Sequence, residues 1–147
     1  MIHEMDVVDE KQMLETLCQE INCSPYAQKL GITVTELEKG RSLVEMVFTP
    51  DLENTVGMAH GGAIFSLIDE AFGAATNSYG TVAVALNINV TYLRPPSPGD
   101  KLYAEAEVIS MTRRTSTCRI QVTNQEGEII SVCQALAYRK GNTLPFL

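Results

Sequence analysis

The sequence predicts an α+β protein, one long buried helix held in an antiparallel sheet of five to six strands. Three observations carry this. From Gly61 to about Ser78, apolar residues such as Ile64, Phe65, Leu67, Ile68, Ala71 and Phe72 cover nearly the whole circumference of a helix, and a helix apolar all round is a buried one. The segments around it alternate apolar and polar residues, the period of a half-buried strand. Most of these segments are joined by short turns, which make antiparallel neighbours. With 147 residues the chain predicts a single domain over 1–147, large enough to bury a core without a metal or a disulfide.

The elements follow in chain order. Met13, Leu14, Leu17, Cys18 and Ile21 recur at helical spacing and predict an amphipathic helix over about 9–23, stopped before Pro25. Tyr26–Leu30 reads as a short helical turn closed by Gly31. Ile32–Glu38 and Ser42–Thr49 read as strands joined at Lys39-Gly40, and Asp51–Met58 as a loop. After the central helix, Val82, Val84, Leu86, Ile88, Val90 and Tyr92 define one face of a long strand, with Ala83, Ala85, Asn87, Asn89 and Thr91 on the other. Pro95–Asp100 breaks the run. Leu102–Met111, Thr115–Thr123 and Glu128–Arg139 alternate likewise, with Asn124–Gly127 as a hairpin turn and Gly141–Leu147 as a loose tail.

Charge and composition exclude several functions. Eleven Lys and Arg stand against 18 Asp and Glu, a net charge of −7, so the surface repels a phosphate backbone and nucleic-acid binding is not expected. No apolar run is long enough to span a membrane, and the acidic start MIHEMDVVDEK does not read as a signal peptide. Cys18, Cys23, Cys118 and Cys133 form no C-x-x-C pair, and His3 and His60 are the only histidines, so a zinc site is not expected. Unpaired thiols fit a cytoplasmic protein.

The chemistry-bearing segment is Asn54-Thr55-Val56-Gly57-Met58-Ala59-His60-Gly61-Gly62, which runs straight into the central helix. Gly61 and Gly62 leave backbone N–H groups unscreened at the positive end of the helix dipole, a place for an anion or for the oxyanion of an attacked carbonyl. Glycines there also serve plain backbone geometry. His60 is read as orienting the helix start. Asp69, beside Glu70, interrupts an apolar helix. One reading puts both carboxylates on a narrow solvent-facing stripe near Ser66, Gly73 and Thr76; the other makes Asp69 a nucleophile or general base. Asp69 lies eight residues beyond Gly61, about 12 Å along the axis, whereas a base must come within about 3 Å of its target or reach it through one water. If both act on one carbonyl, they come from two subunits with antiparallel helices.

Asn54 through Gly80 fit N-x-x-G-x-x-H-G-G-x-x-F-x-L-x-D-x-A-F-x-x-A-x-N-x-x-G without a gap. This resembles the hotdog-fold acyl-CoA thioesterases of the phenylacetate-degradation (PaaI-like) type. Tyr92-Leu93-Arg94-Pro95, Gly99-Asp100 and Leu102-x-Ala104 extend the likeness, which runs from roughly Tyr26 to Arg139. The resemblance implies hydrolysis of acyl-CoA to free acid and coenzyme A without a metal, by dimers that pair into tetramers. It implies that Asp69 is the catalytic acid, contributed by the other subunit. It makes the Gly61 N–H the group that polarises the thioester carbonyl, and Asn54 the holder of water or substrate. Asp rather than Glu at position 69 favours this branch over the hydroxybenzoyl-CoA type.

Asn87 and Asn89 lie near where relatives carry a Ser or Thr; a water-positioning amide or merely a wet strand face are the two readings. His60 and Gly62 adjoin the substrate carbonyl. Arg94, Arg113 and Arg114 have two readings, guanidinium groups for the phosphates of coenzyme A or ordinary surface charges. Two alternatives stand beside hydrolysis: a non-catalytic acyl-CoA sensor or carrier, and a dehydratase or hydratase, which would place its His and acid differently.

Overall fold

The computed structural model describes residues 4–147, with side chains from residue 9 onward, so His3 lies outside the described residues. Helix α1 spans Glu4–Asn22 and α2 spans Pro25–Leu30. Strands β1 (Thr33–Glu38) and β2 (Arg41–Val47) follow, then a 3-10 turn at Pro50–Leu52 and the central helix α3, Gly61–Asn77. Strands β3 (Thr81–Tyr92), β4 (Lys101–Met111), β5 (Thr115–Thr123) and β6 (Ile129–Thr143) complete the chain. They form one six-stranded sheet in the order β1-β2-β4-β5-β6-β3, with every neighbouring pair antiparallel.

The sheet wraps α3 because its inner face is cut small. Ala104 and Ala106 on β4 and Ala135 and Ala137 on β6 are buried opposite Ala71, Ala74 and Ala75, so the helix sits close to the strands. Leu67, Ile68 and Phe72 fill what remains, each contributing about 1.5–3 kcal/mol by leaving water. Polar groups beside the helix are paired, whereas the buried hydroxyls of Ser116 and Ser131 in the sheet have no partner. Ser42 Oγ donates to the Ala71 carbonyl at 2.6 Å, and Ser78 Oγ donates to the Ala75 carbonyl while accepting from the Gly40 N–H. Gly31 ends α2 at φ 69°, a left-handed geometry that costs glycine nothing.

Two expectations are corrected. The tail is not loose: β6 continues to Thr143, and Leu144 is buried with its N–H on the Gly80 carbonyl at 3.1 Å. Nor does β3 alternate without a break. Its register on β6 shifts between Ala85 and Asn87, so an extra residue enters at Leu86. Ala83 before that bulge and Ile88 and Val90 after it pack on the core, while Val84 and Leu86 stay exposed. A one-residue insertion swaps faces, which is why a single period misreads this strand.

The two sheet edges differ. Asn22 of α1 lies along β1, accepting from the Val34 N–H at 2.8 Å and donating to the Val34 carbonyl at 3.1 Å. The other edge is β3, twelve residues with neither charge nor proline, where Asn77 binds only the backbone of Ala83.

Candidate functional site

The loop before α3 is folded by Asn54. Its Oδ1 accepts from the N–H groups of Val56 and Met58 at 3.0 and 3.1 Å, and its own N–H donates to the Met58 carbonyl at 2.7 Å. Only its side-chain NH2 stays unbonded among the described residues. The closed loop delivers His60 to the helix N-cap, where Nδ1 accepts from the Gly62 N–H at 2.9 Å. An accepting Nδ1 puts the proton of a neutral ring on Nε2. The Ala63 N–H turns back to the His60 carbonyl at 3.0 Å. Of these first N–H groups, that of Gly61 is left with no acceptor among the described residues, at the positive end of a seventeen-residue helix.

The helix start lies between two grooves. On the sheet side, a groove of about 360 Å³ is lined by Met58, Gly61, Ile64, Tyr92 and Arg94 with their neighbours. On the α2 side, one of about 260 Å³ is lined by Tyr26, Leu30, Asp51, His60 and Ser66 among others. The hydroxyls of Tyr26 and Ser66 lie 2.7 Å apart, and Ser66 Oγ donates to the Gly62 carbonyl at 2.7 Å. A third groove of about 350 Å³ on the outer sheet face, crossed by the Arg119–Glu107 ion pair, touches none of these groups.

Asp69 is exposed and Glu70 half-buried on the side of α3 that the sheet leaves open. That stripe consists of Gly62, Phe65 and Asp69 with Glu70 and Gly73; Ser66 and Thr76, expected nearby, are buried. The crowded helix surface strips water from the Asp69 carboxylate and raises its pKa. Glu70 is raised by the same desolvation and then by the charge of Asp69. For a carboxyl raised on folding, the native state binds more protons, so stability is greatest at acid pH and falls as pH rises through the folded pKa. Asp69→Asn is therefore expected to melt above the wild type at neutral pH and to lose that margin toward pH about 3, below the ordinary aspartate value. A thermal melt series across pH checks it; a margin growing toward acid would contradict the sign.

The other expected residues are distributed as follows. The Gly62 N–H is committed to His60, which leaves Gly61 as the donor. Asn87 and Asn89 pair with Leu136 and Gln134, and Asn89 lines an outer groove with Thr91 and Arg119. They face away from α3, because the bulge at Leu86 turns Ile88 and Val90 inward instead. Arg94 lines the sheet-side groove and is held by Glu128 at 2.6 Å. Arg113 and Arg114 sit in the β4–β5 turn, at the end of the sheet opposite Tyr92 and its partner Ser131. The eleven residues of β4 span about 35 Å at 3.3 Å each, so these arginines cannot reach a ligand at their own chain's Gly61. Sequence reasoning missed Tyr92 as a neighbour of Gly61 and the Tyr26–Ser66 pair. Both contacts bridge segments far apart in the chain, and no periodicity reports them.

No helix among the described residues is long and apolar enough to cross a membrane. Comparison with known proteins gives a consistent picture. Residues 56–131 match the family model described as the thioesterase superfamily. The chain is 35% identical over 118 residues to the acyl-coenzyme A thioesterase PaaI of Escherichia coli, covering 80% of this chain and 84% of that one. The solved structure of E. coli PaaI, from the phenylacetic acid degradation operon, superposes with a TM-score of 0.85 at 31% identity over 90% of this chain and 96% of that one. A Streptococcus mutans protein solved bound to acetyl-CoA superposes with a TM-score of 0.73 at 28% identity, over 77% of this chain and 91% of that one.

Proposed function

The chain belongs to the thioesterase superfamily and has its hotdog fold, a thioester hydrolase by descent; from this premise we propose that it hydrolyses acyl-CoA to a free acid and coenzyme A at a site shared by two subunits. The observation that carries the reading is the unbonded N–H of Gly61 at the head of α3, a residue that lines the sheet-side groove. A thioester oxygen lying on that N–H gains a donor and the helix dipole as negative charge develops on it. Asp69 of the second copy serves as general base for a water, a task that its raised pKa suits. Direct attack by that carboxylate is the other route, and it would leave the acyl group transiently on the protein as a mixed anhydride. The Asn54 NH2 holds the water or the substrate. All of this chemistry is assigned to protein groups, with no cofactor.

Geometry supports the second copy. Midway between Gly61 and Asp69 is Phe65, an exposed aromatic on the open face of α3. An antiparallel helix pair that sets each Gly61 against the other's Asp69 has its two-fold axis at Phe65. The uncharged β3 edge, with Val84 and Leu86 exposed, is the kind of strand that a lone chain leaves at risk and a second copy covers. Arg113 and Arg114 then serve the phosphates of a coenzyme A held by the partner, and Arg94 those of its own chain's ligand. Exposed Ile109, Met111, Val132 and Tyr138 supply apolar surface for pairing dimers into a tetramer. Four free cysteines fit a cytoplasmic location.

A panel of acetyl-, hexanoyl-, benzoyl- and phenylacetyl-CoA tests the function. Loss of the thioester ultraviolet absorbance is the better readout, because exposed Cys23 would itself react with a thiol reagent. Turnover of at least one member is expected. Tight binding of the panel without hydrolysis would make the protein a sensor or carrier.

A further inference from the structure

Gly61 has an unusual support. Its N–H is free, it carries no side chain, and glycine at a helix start is the residue least held by its own backbone preferences. Tyr92, the last residue of β3, closes on it from the sheet. The phenol hydroxyl donates to the Gly61 carbonyl at 3.0 Å. The ring covers the side from which a Cβ would project, which would stand only 3.3 Å from the hydroxyl oxygen. Tyr92 is itself anchored, paired with buried Ser131 of β6, while the next residue, Leu93, donates its N–H to the Ile130 carbonyl at 2.9 Å. Burial, and after it the neighbouring Cys133 thiol, raises the pKa of the phenol, so its proton stays available for donation.

We propose that Tyr92 is a positioning residue: by gripping the carbonyl and the open side of Gly61, it fixes the direction in which the Gly61 N–H meets the substrate oxygen. His60 holds the peptide on the other side through Gly62. The two grips hold the Gly61–Gly62 peptide by its carbonyl and its N–H. They so restrain the Gly61 backbone that carries the free N–H beside the groove that Gly61 and Tyr92 both line. An oxyanion donor set before the reaction needs no reorganisation as charge develops, which is where such a donor gains its effect. The tyrosine thus acts through Gly61, on the transition state more than on ground-state binding. This inference rests on the reading of Gly61 as the oxyanion donor.

Tyr92→Phe keeps the ring and removes the hydroxyl. The loss of one hydrogen bond is expected to lower kcat about tenfold, with KM and the melting temperature nearly unchanged. A double-mutant cycle with Gly61→Ala gives a second measurement. The added methyl crowds the Tyr92 hydroxyl, so Gly61→Ala is expected to cost less in the Tyr92→Phe background than in the wild type. Strict additivity, or a Tyr92→Phe protein with wild-type kcat, overturns the proposal. A panel that is never hydrolysed even by the wild type would instead overturn the thioesterase reading.

Discussion

Asp69→Asn is expected to lose about 10²- to 10⁴-fold in kcat, the range set by removing a positioned general base. The amide keeps the size and the hydrogen-bonding surface of the carboxylate, but it can neither take a proton from water nor attack a carbonyl. The side chain is exposed in the single chain and makes no hydrogen bond among the described residues, and its charge costs stability rather than adding it, so the amide does not endanger folding. KM and assembly should stay near wild type. Glu70→Gln is the matching control, since Glu70 lies one step round the helix and half-buried; it should keep kcat within about tenfold. The same carboxylate predicts the acid limb of the wild-type rate profile, which should fall above the ordinary aspartate value of about 3.9 because desolvation raises Asp69.

The second large effect is expected from Gly61→Pro, which removes the free N–H while leaving a helix start that proline tolerates. Proline is at home in the first helical position, where the missing N–H has no intrahelical partner. It also requires the residue before it to be extended, and His60 already is, at φ −67° and ψ 126°. The added Cβ presses on Tyr92, whose hydroxyl must give by a few tenths of an ångström. A folded protein with kcat lower by about 10²- to 10³-fold is the expected result, the usual cost of one oxyanion donor. Circular dichroism and a thermal melt separate this from unfolding. A well-folded Gly61→Pro protein with wild-type turnover would show that the N–H takes no part.

Much of this site is legible in the chain because its parts are local. Asn54, His60, Gly61 and Asp69 all lie within one loop and the helix that it opens into, and helical rise alone separates Gly61 from Asp69 by more than one carbonyl can span. The fold is legible for the same reason: an all-apolar helix and alternating strands have no other way to bury their surfaces. What the sequence hides is whatever depends on register or on distant contact. The bulge at Leu86 leaves Val84 and Leu86 exposed although they alternate in step with Ile88 and Val90, and no single residue announces it. The grip of Tyr92 on Gly61 joins residues thirty-one positions apart. The commitment of the Gly62 N–H to His60 narrows two glycine donors to one, a distinction that needs coordinates.

The shared site is the central claim, and mixing two dead proteins tests it most directly. Asp69→Asn retains an intact Gly61, and Gly61→Pro retains an intact Asp69. Unfolded together and refolded as a mixture, about half of the dimers are hybrids. In each hybrid one of the two sites pairs an intact Gly61 with an intact Asp69 from the other chain. Activity should return to about a quarter of the wild-type value per chain, from two preparations that are each inactive alone. If Gly61 and Asp69 of the same chain served one carbonyl, every chain in the mixture would still carry a lesion, and a mixture as inactive as its components would contradict the account.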